Sequence, residues 1–92
     1  MSDDPRKKRM ERAKHKAEAD LIHMGYCVVR SDNRKACLIG FSSVDIRVVR
    51  VVLDALVPDD RKALASIDAP AVCKRELWVR KSGAYEFDKH RV

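Results

Sequence analysis

The chain has 92 residues, of which 46% are hydrophobic, and its 20 Lys and Arg against 14 Asp and Glu give a formal net charge of +6. Ninety-two residues are too few for two separate cores, so we expect a single domain over residues 1–92. The hydrophobic share is that of a folded protein, and the positive charge favours polyanionic partners such as DNA or RNA.

The cysteines and the hydropathy of the chain indicate the cellular compartment in which the protein is found. Cys27, Cys37 and Cys73 are too widely spaced for a zinc site and are predicted to be reduced. No apolar run approaches the about 18 residues of a membrane span, and the N-terminus lacks the apolar region of a signal peptide. We therefore expect a cytoplasmic protein without a membrane partner, located in the host cytoplasm if it is viral.

The first predicted element is a helix that begins at Pro5, with Asp4 as its N-cap. It ends before Gly25, a residue typical of helix C-termini. One stripe of the helix is apolar and should face the core: Met10, Ala13, Ala17, Leu21 and Met24. Residues 1–9 are highly charged and terminal, so we expect them to fray.

The remaining elements are mostly strands. Five are predicted, at residues 26–30, 37–41, 46–53, 72–80 and 84–91. A tight connection at 42–45 and a polar turn at 81–83 join neighbouring strands, and a second helix begins at Pro58 and ends before Pro70. The order α-β-β-β-α-β-β predicts an α/β (α+β) domain with a mixed five-stranded sheet flanked by two helices.

A family pattern is present in the first half of the chain. Glu18 on the first helix is followed by Gly25-Tyr26 and by a strand that ends in Arg30-Ser31. This pattern resembles the opening of PD-(D/E)xK nucleases, especially small archaeal Holliday-junction-resolvase-like and VRR-NUC-like domains. The resemblance continues through residues 38–53 and the closing helix and strands, and it implies a restriction-endonuclease-like core.

In that family an aspartate begins strand two and an acidic-x-lysine tripeptide ends strand three; the acids hold magnesium and the lysine helps to activate water. The resemblance places Cys37, Arg50 and Val52 at these three positions. A thiol does not replace a carboxylate toward magnesium, a guanidinium repels the ion and valine offers no nitrogen. The resemblance therefore implies a degenerate site with no catalytic residues, no metal and no cofactor.

A second alignment takes Asp45 and Asp54 as the two acids and leaves Leu56 at the lysine position. No lysine occurs between Lys35 and Lys62, so no register provides the tripeptide on strand three. Retained catalysis, with Mg or Mn, would need displaced residues, for which the candidates are Glu18, Asp45, Asp54 and Lys74.

Positive charge is concentrated on the first helix and around the loop after the first strand, which favours contacts with phosphates. The predicted nucleic-acid-binding residues are Arg6, Lys7, Lys8, Arg9, Arg12 and Lys16 on the helix and Arg30, Arg34 and Lys35 around the loop. Trp78, Tyr85 and Phe87 alternate on two paired strands, which favours core packing over a platform for base stacking.

Three functions remain open at this point. The leading hypothesis is a catalytically degenerate nuclease-fold protein that binds DNA or RNA without sequence specificity, through the basic helix and the adjacent loop. The first alternative is a metal-dependent endonuclease or junction resolvase that uses the displaced residues. The second is a non-enzymatic adaptor subunit of a replication or viral complex, in which an exposed last strand supports a homodimer.

Overall fold

The computed structural model describes residues 4–31, 36–67 and 73–92. Its elements are α1 (Pro5–His23), β1 (Cys27–Arg30), β2 (Leu38–Phe41), β3 (Ile46–Leu53), α2 (Pro58–Ala65), β4 (Cys73–Arg80) and β5 (Asp88–Arg91). In this part of the chain the strands form one sheet in the order β1-β2-β3-β4-β5, where β3 and β4 are parallel and the other neighbours antiparallel. The predicted element order and the mixed five-stranded α+β architecture are confirmed.

The ends of α1 follow from local chemistry. The Asp4 carboxylate accepts a hydrogen bond from the Arg6 backbone amide at 3.0 Å, which caps the helix start. At the other end the Tyr26 amide donates to the Leu21 carbonyl at 3.0 Å while Gly25 has φ +98°, the geometry of a Schellman motif. Met24, predicted in the apolar stripe, is 42% exposed because it lies at the C-cap, beyond the last helical turn.

Alternation along β3 divides the core between the two helices. Val49, Val51 and Leu53 point to the α1 side of the sheet, where they pack with Leu21 and Trp78. The intervening side chains point to the α2 side and pack there, in a cluster that contains Val48, Val52, Leu64 and Leu77. One helix therefore covers each face, and the valine-rich strand is buried on both sides.

The side chain of Asp60 fixes the start of α2. The Asp60 carboxylate accepts from the Val57 backbone amide at 3.1 Å and from Arg50 Nε on β3, also at 3.1 Å. Leu64 is fully buried, and Ile67 packs on the same cluster although the helix ends at Ala65. The predicted closing residue of this stretch, Pro70, lies outside the described residues, as does residue 72, the predicted start of the fourth strand.

The last strand is shorter than predicted. Pairing begins at Asp88 opposite Val79, so residues 84–87 belong to the connection rather than to β5. Phe87 turns inward and packs on Trp78 with ring centroids 5.4 Å apart, whereas Tyr85 is 78% exposed. The prediction of core packing is confirmed for Trp78 and Phe87 and is wrong for Tyr85, because the irregular connection breaks the alternation on which it relied.

The sheet leaves β1 and β5 at its two edges, and the exposed last strand agrees with the expectation of an edge. A homodimer through that edge stays a prediction. Within the described residues, no helix combines the length and the apolar character needed to cross a bilayer.

Candidate nucleic-acid interface

The positions that correspond to the nuclease motif do not fit a magnesium ion. Arg50 and Val52 lie on the α2 side of β3, where Arg50 is bound to Asp60 and Val52 is buried. Cys37 precedes β2 with a half-buried thiol. Magnesium binds hard oxygen ligands, which none of these three side chains supplies.

The helix glutamate lies on the other side of the sheet. The Glu18 carboxylate accepts from Arg30 Nε at 3.0 Å, on the side that α1 covers. The β3 residues on that side are Arg47, Val49, Val51 and Leu53. Since neither face of β3 carries an acid followed two residues later by a lysine, a shift of register by one residue does not restore the motif.

The endonuclease alternative requires four displaced residues to lie close together, and the structure does not bring all four together. They are Glu18, Asp45, Asp54 and Lys74. Asp45 and Asp54 flank opposite ends of β3, which at about 3.3 Å per strand residue separates them by roughly 25–30 Å. Glu18 pairs with Arg30 on β1, whereas Lys74 lies 2.8 Å from Asp45. At this separation Asp45 and Asp54 do not reach one metal ion together in this structure. Among the described residues no group of three His, Cys, Asp or Glu side chains is arranged to hold a metal ion.

Asp45 and Lys74 instead belong to a half-buried polar network on the α1 side of the sheet. The Tyr26 hydroxyl donates to Asp45 at 2.6 Å and accepts from Arg47 Nε at 2.7 Å. Arg47 also donates to both oxygens of Glu76, at 3.0 and 3.1 Å. The sequence analysis did not predict this network, because the network depends on the β3–β4 register. That register sets Arg47 opposite Lys74.

This network is electrically neutral and structural in character. The Lys74 ammonium, with help from the Tyr26 and Ser42 hydroxyls, holds the pKa of Asp45 far below its usual range. Two carboxylates face two cations, and the Trp78 indole N–H donates to Glu76 at 3.0 Å. The network binds the β2–β3 connection to β4, and its acceptors are already occupied.

A second polar region, the basic cleft, lies between α1 and the β4–β5 connection. It has a volume of about 350 Å³. Its lining consists of Arg9, Arg12, Leu53, Arg80, Lys81, Ser82, Gly83, Ala84 and Tyr85. A neighbouring cavity shares Arg12 and Arg80 with the cleft, and the rest of its lining consists of Glu11, His15 and Lys16.

Secondary structure explains why these cations converge. Arg9, Arg12 and Lys16 recur at spacings of three and four residues, which places them on one stripe of α1. Arg80 follows Trp78 at the strand period of two, so it points to the same α1 side at the end of β4. Lys81 is the next residue along the chain and begins the connection.

Of the four cations that line the cleft, two have no carboxylate partner among the described residues. Arg9 donates to the Asp54 carboxylate at 2.7 and 3.3 Å, which raises the pKa of Arg9 and lowers that of Asp54. Lys81 lies 3.1 Å from Asp88. Neither Arg12 nor Arg80 makes an ion pair within the described part of the chain. The cleft therefore presents two guanidinium groups without a counter-ion from residues 4–31, 36–67 and 73–92.

No protein-family model, no curated protein and no solved structure matches this chain. The relationship to nucleases therefore rests on the resemblance alone, and the site rests on its own geometry.

The predicted nucleic-acid-binding residues divide into four groups by location. Arg6, Lys7 and Lys8 are exposed on the first turn of α1, while Arg9 and Arg12 line the cleft and Lys16 lines the neighbouring cavity. Arg30 lies on β1 and is bound by Glu11 and Glu18. Arg34 and Lys35 lie outside the described residues. Arg80, Lys81 and Tyr85 were not predicted, although two successive cations before a polar turn are a visible signal.

Proposed function

We propose that the protein binds nucleic acid and that the basic cleft contacts the phosphate backbone of the nucleic acid. The observation that carries this proposal is the convergence of Arg12 and Arg80 without a carboxylate partner among the described residues. A guanidinium group binds phosphate oxygens through two parallel hydrogen bonds, which makes arginine well suited to this contact. Arg9 and Lys81 add charge at the margins, and their carboxylate partners are partly exposed.

The composition of the cleft supports binding without sequence specificity. Direct readout of adenine uses asparagine or glutamine, and the chain contains one asparagine, Asn33, and no glutamine. The cleft side chains that can bond to nucleic acid are cations, the Ser82 hydroxyl and Tyr85. When these groups bind phosphate oxygens, they position the protein on the backbone and carry no sequence information directly.

We also propose that the domain is a degenerate member of the nuclease fold that has lost its metal chemistry. The topology follows the element order that the resemblance implies, with three antiparallel strands, a crossing helix and a parallel fourth strand. Arg50 forms an ion pair with Asp60, and Val52 is buried in the core on the α2 side, so both side chains have structural roles. The basic cleft lies at the ends of β3 and β4 on the α1 side of the sheet, whereas Arg50 and Val52 lie on the α2 side.

Fluorescence anisotropy with labelled DNA and RNA, recorded between about 50 and 200 mM salt, tests the binding proposal. The cleft variant is R12A/R80A. The matched control is R61A/K62A, which removes the same charge from exposed positions on α2, on the other side of the sheet. Thermal unfolding of each variant verifies that the fold is retained.

Release of counter-ions sets the expected size of the effect. Each phosphate contact with a single strand adds about 0.7 to the slope of log affinity against log salt. The cleft variant should lose about 1.4 of that slope and bind about 10- to 30-fold more weakly near 0.1 M salt. The control should stay close to the unmodified protein. Binding without a salt slope, or equal losses in the two variants, would contradict the proposal.

A further inference from the structure

An exposed aromatic side chain stands at the rim of the basic cleft. Tyr85 is 78% exposed although it is one of few aromatic residues in the chain, and it lines the cleft beside Arg12 and Arg80. The core does not use this ring, because Phe87 fills the adjacent position against Trp78. A large apolar ring left in solvent next to cations is typical of surfaces that bind single-stranded nucleic acid.

The surroundings of Tyr85 orient its ring. The Lys16 ammonium lies 4.6 Å from the ring centroid, and Lys16 is held in turn by Asp20 at 3.4 Å. The preceding turn is closed by a hydrogen bond from the Ala84 amide to the Lys81 carbonyl at 3.0 Å. With Lys16 over one face of the ring and most of the residue exposed, the other face is open to a ligand.

We infer that the cleft binds single-stranded nucleic acid, with an unpaired base stacked on Tyr85 and the neighbouring phosphates bound by Arg12 and Arg80. This inference rests on the proposed function and narrows its substrate class. In a duplex both faces of each base are covered by neighbouring pairs, so no base is available to the ring. The cleft volume of about 350 Å³ is near the lower limit of ligand pockets, which suits one nucleotide rather than a duplex.

The test compares four labelled probes of equal length: a single DNA strand, the RNA strand of the same sequence, a DNA strand without bases, and a DNA duplex. The baseless strand keeps the phosphates and removes the stacking partner. The variants are Y85A and Y85W, since tryptophan restores a stacking surface. V44A serves as the control, because Val44 is an equally exposed apolar residue on the β2–β3 connection.

The unmodified protein should bind the DNA strand at least 5-fold more tightly than the baseless strand. Loss of a stacked base weakens binding about 5- to 100-fold, so Y85A should lose that much on the DNA strand and almost nothing on the baseless one. Y85W should regain most of the affinity, and its fluorescence should be quenched by the DNA strand and not by the baseless strand. Comparison of the DNA and RNA strands shows whether the ribose 2′-hydroxyl contributes.

The outcomes separate this inference from the proposal on which it rests. Equal affinity for normal and baseless strands, with no effect of Y85A, would overturn stacking and leave phosphate binding intact. Tighter binding of the duplex than of the single strand would also overturn it. Failure to bind any of the probes at low salt would overturn the proposed function itself. Since Tyr85 is exposed, all variants should unfold at nearly the same temperature.

Discussion

Replacing Asp54 by asparagine should strengthen binding of nucleic acid, because this carboxylate competes with phosphate for Arg9. Asp54 lies at the end of β3 with φ 70°, a left-handed conformation that asparagine also tolerates. It accepts two hydrogen bonds from Arg9, at 2.7 and 3.3 Å, and lies 3.9 Å from Arg6. Arg9 lowers the pKa of Asp54, so the carboxylate stays ionised at neutral pH.

The expected gain in affinity of D54N follows from the release of one guanidinium group, that of Arg9, from its carboxylate partner. Each new phosphate contact adds about 0.7 to the salt slope, which amounts to about 5-fold tighter binding near 0.1 M salt. Anisotropy titrations of D54N against salt measure both quantities. The matched control is D59N, which removes the same charge from an exposed position on α2. If D54N remains folded yet binds no more tightly than D59N, the assignment of Arg9 to the phosphate-binding surface is wrong.

Three further predictions concern stability and chemistry. Because Lys74 lowers the pKa of Asp45 in the folded state, the network stabilises the fold above about pH 4, and this contribution is lost as the pH falls. Urea midpoints at neutral and acidic pH should therefore differ less for D45N than for the unmodified protein. Gly25 has φ +98°, so G25A should lower the free energy of unfolding in urea by about 1 kcal/mol. Plasmid and four-way junction DNA should stay uncut in Mg²⁺ or Mn²⁺, whereas cleavage that disappears in E18A or D45A would establish the endonuclease alternative.

Local signals predicted the first helix and the central strand. Asp4 and Pro5 supply a cap and a preorganised first turn, and Gly25 supplies the left-handed residue that ends the helix. The valine run at 46–53 is too β-branched for a helix and forms β3 over the same residues. These features depend on residues that are neighbours in the sequence, so the sequence alone was sufficient.

The last strand depended on contacts that the sequence does not display. A short turn at 81–83 predicted pairing from residue 84, but pairing begins at Asp88, and the preceding Phe87 packs on Trp78. Because β5 begins only at Asp88, Tyr85 lies outside the sheet and is exposed to solvent. A tertiary contact thus overrode the local turn signal, and with it the expected role of one aromatic residue.

The candidate site was partly visible in the sequence. The sequence placed Arg9, Arg12 and Lys16 among the cations of the first helix, and the excess of positive charge indicated phosphate as their partner. Their meeting with Arg80 requires the crossover from β3 to parallel β4, which brings residues far apart in the sequence to one side of the sheet. The orientation of Arg50 toward α2 likewise depends on the strand register, which a loose resemblance does not fix.

Heteronuclear NMR spectra of the isotope-labelled protein, recorded while a short DNA strand is added, test the central claim most directly. If the basic cleft is the interface, the largest changes will occur at residues 9–16 of α1 and at residues 80–85 of β4 and the connection that follows it. The α2 helix and the β2–β3 connection should change little. Changes concentrated on α2, or around the Asp45 network with the cleft unaffected, would show that nucleic acid binds elsewhere.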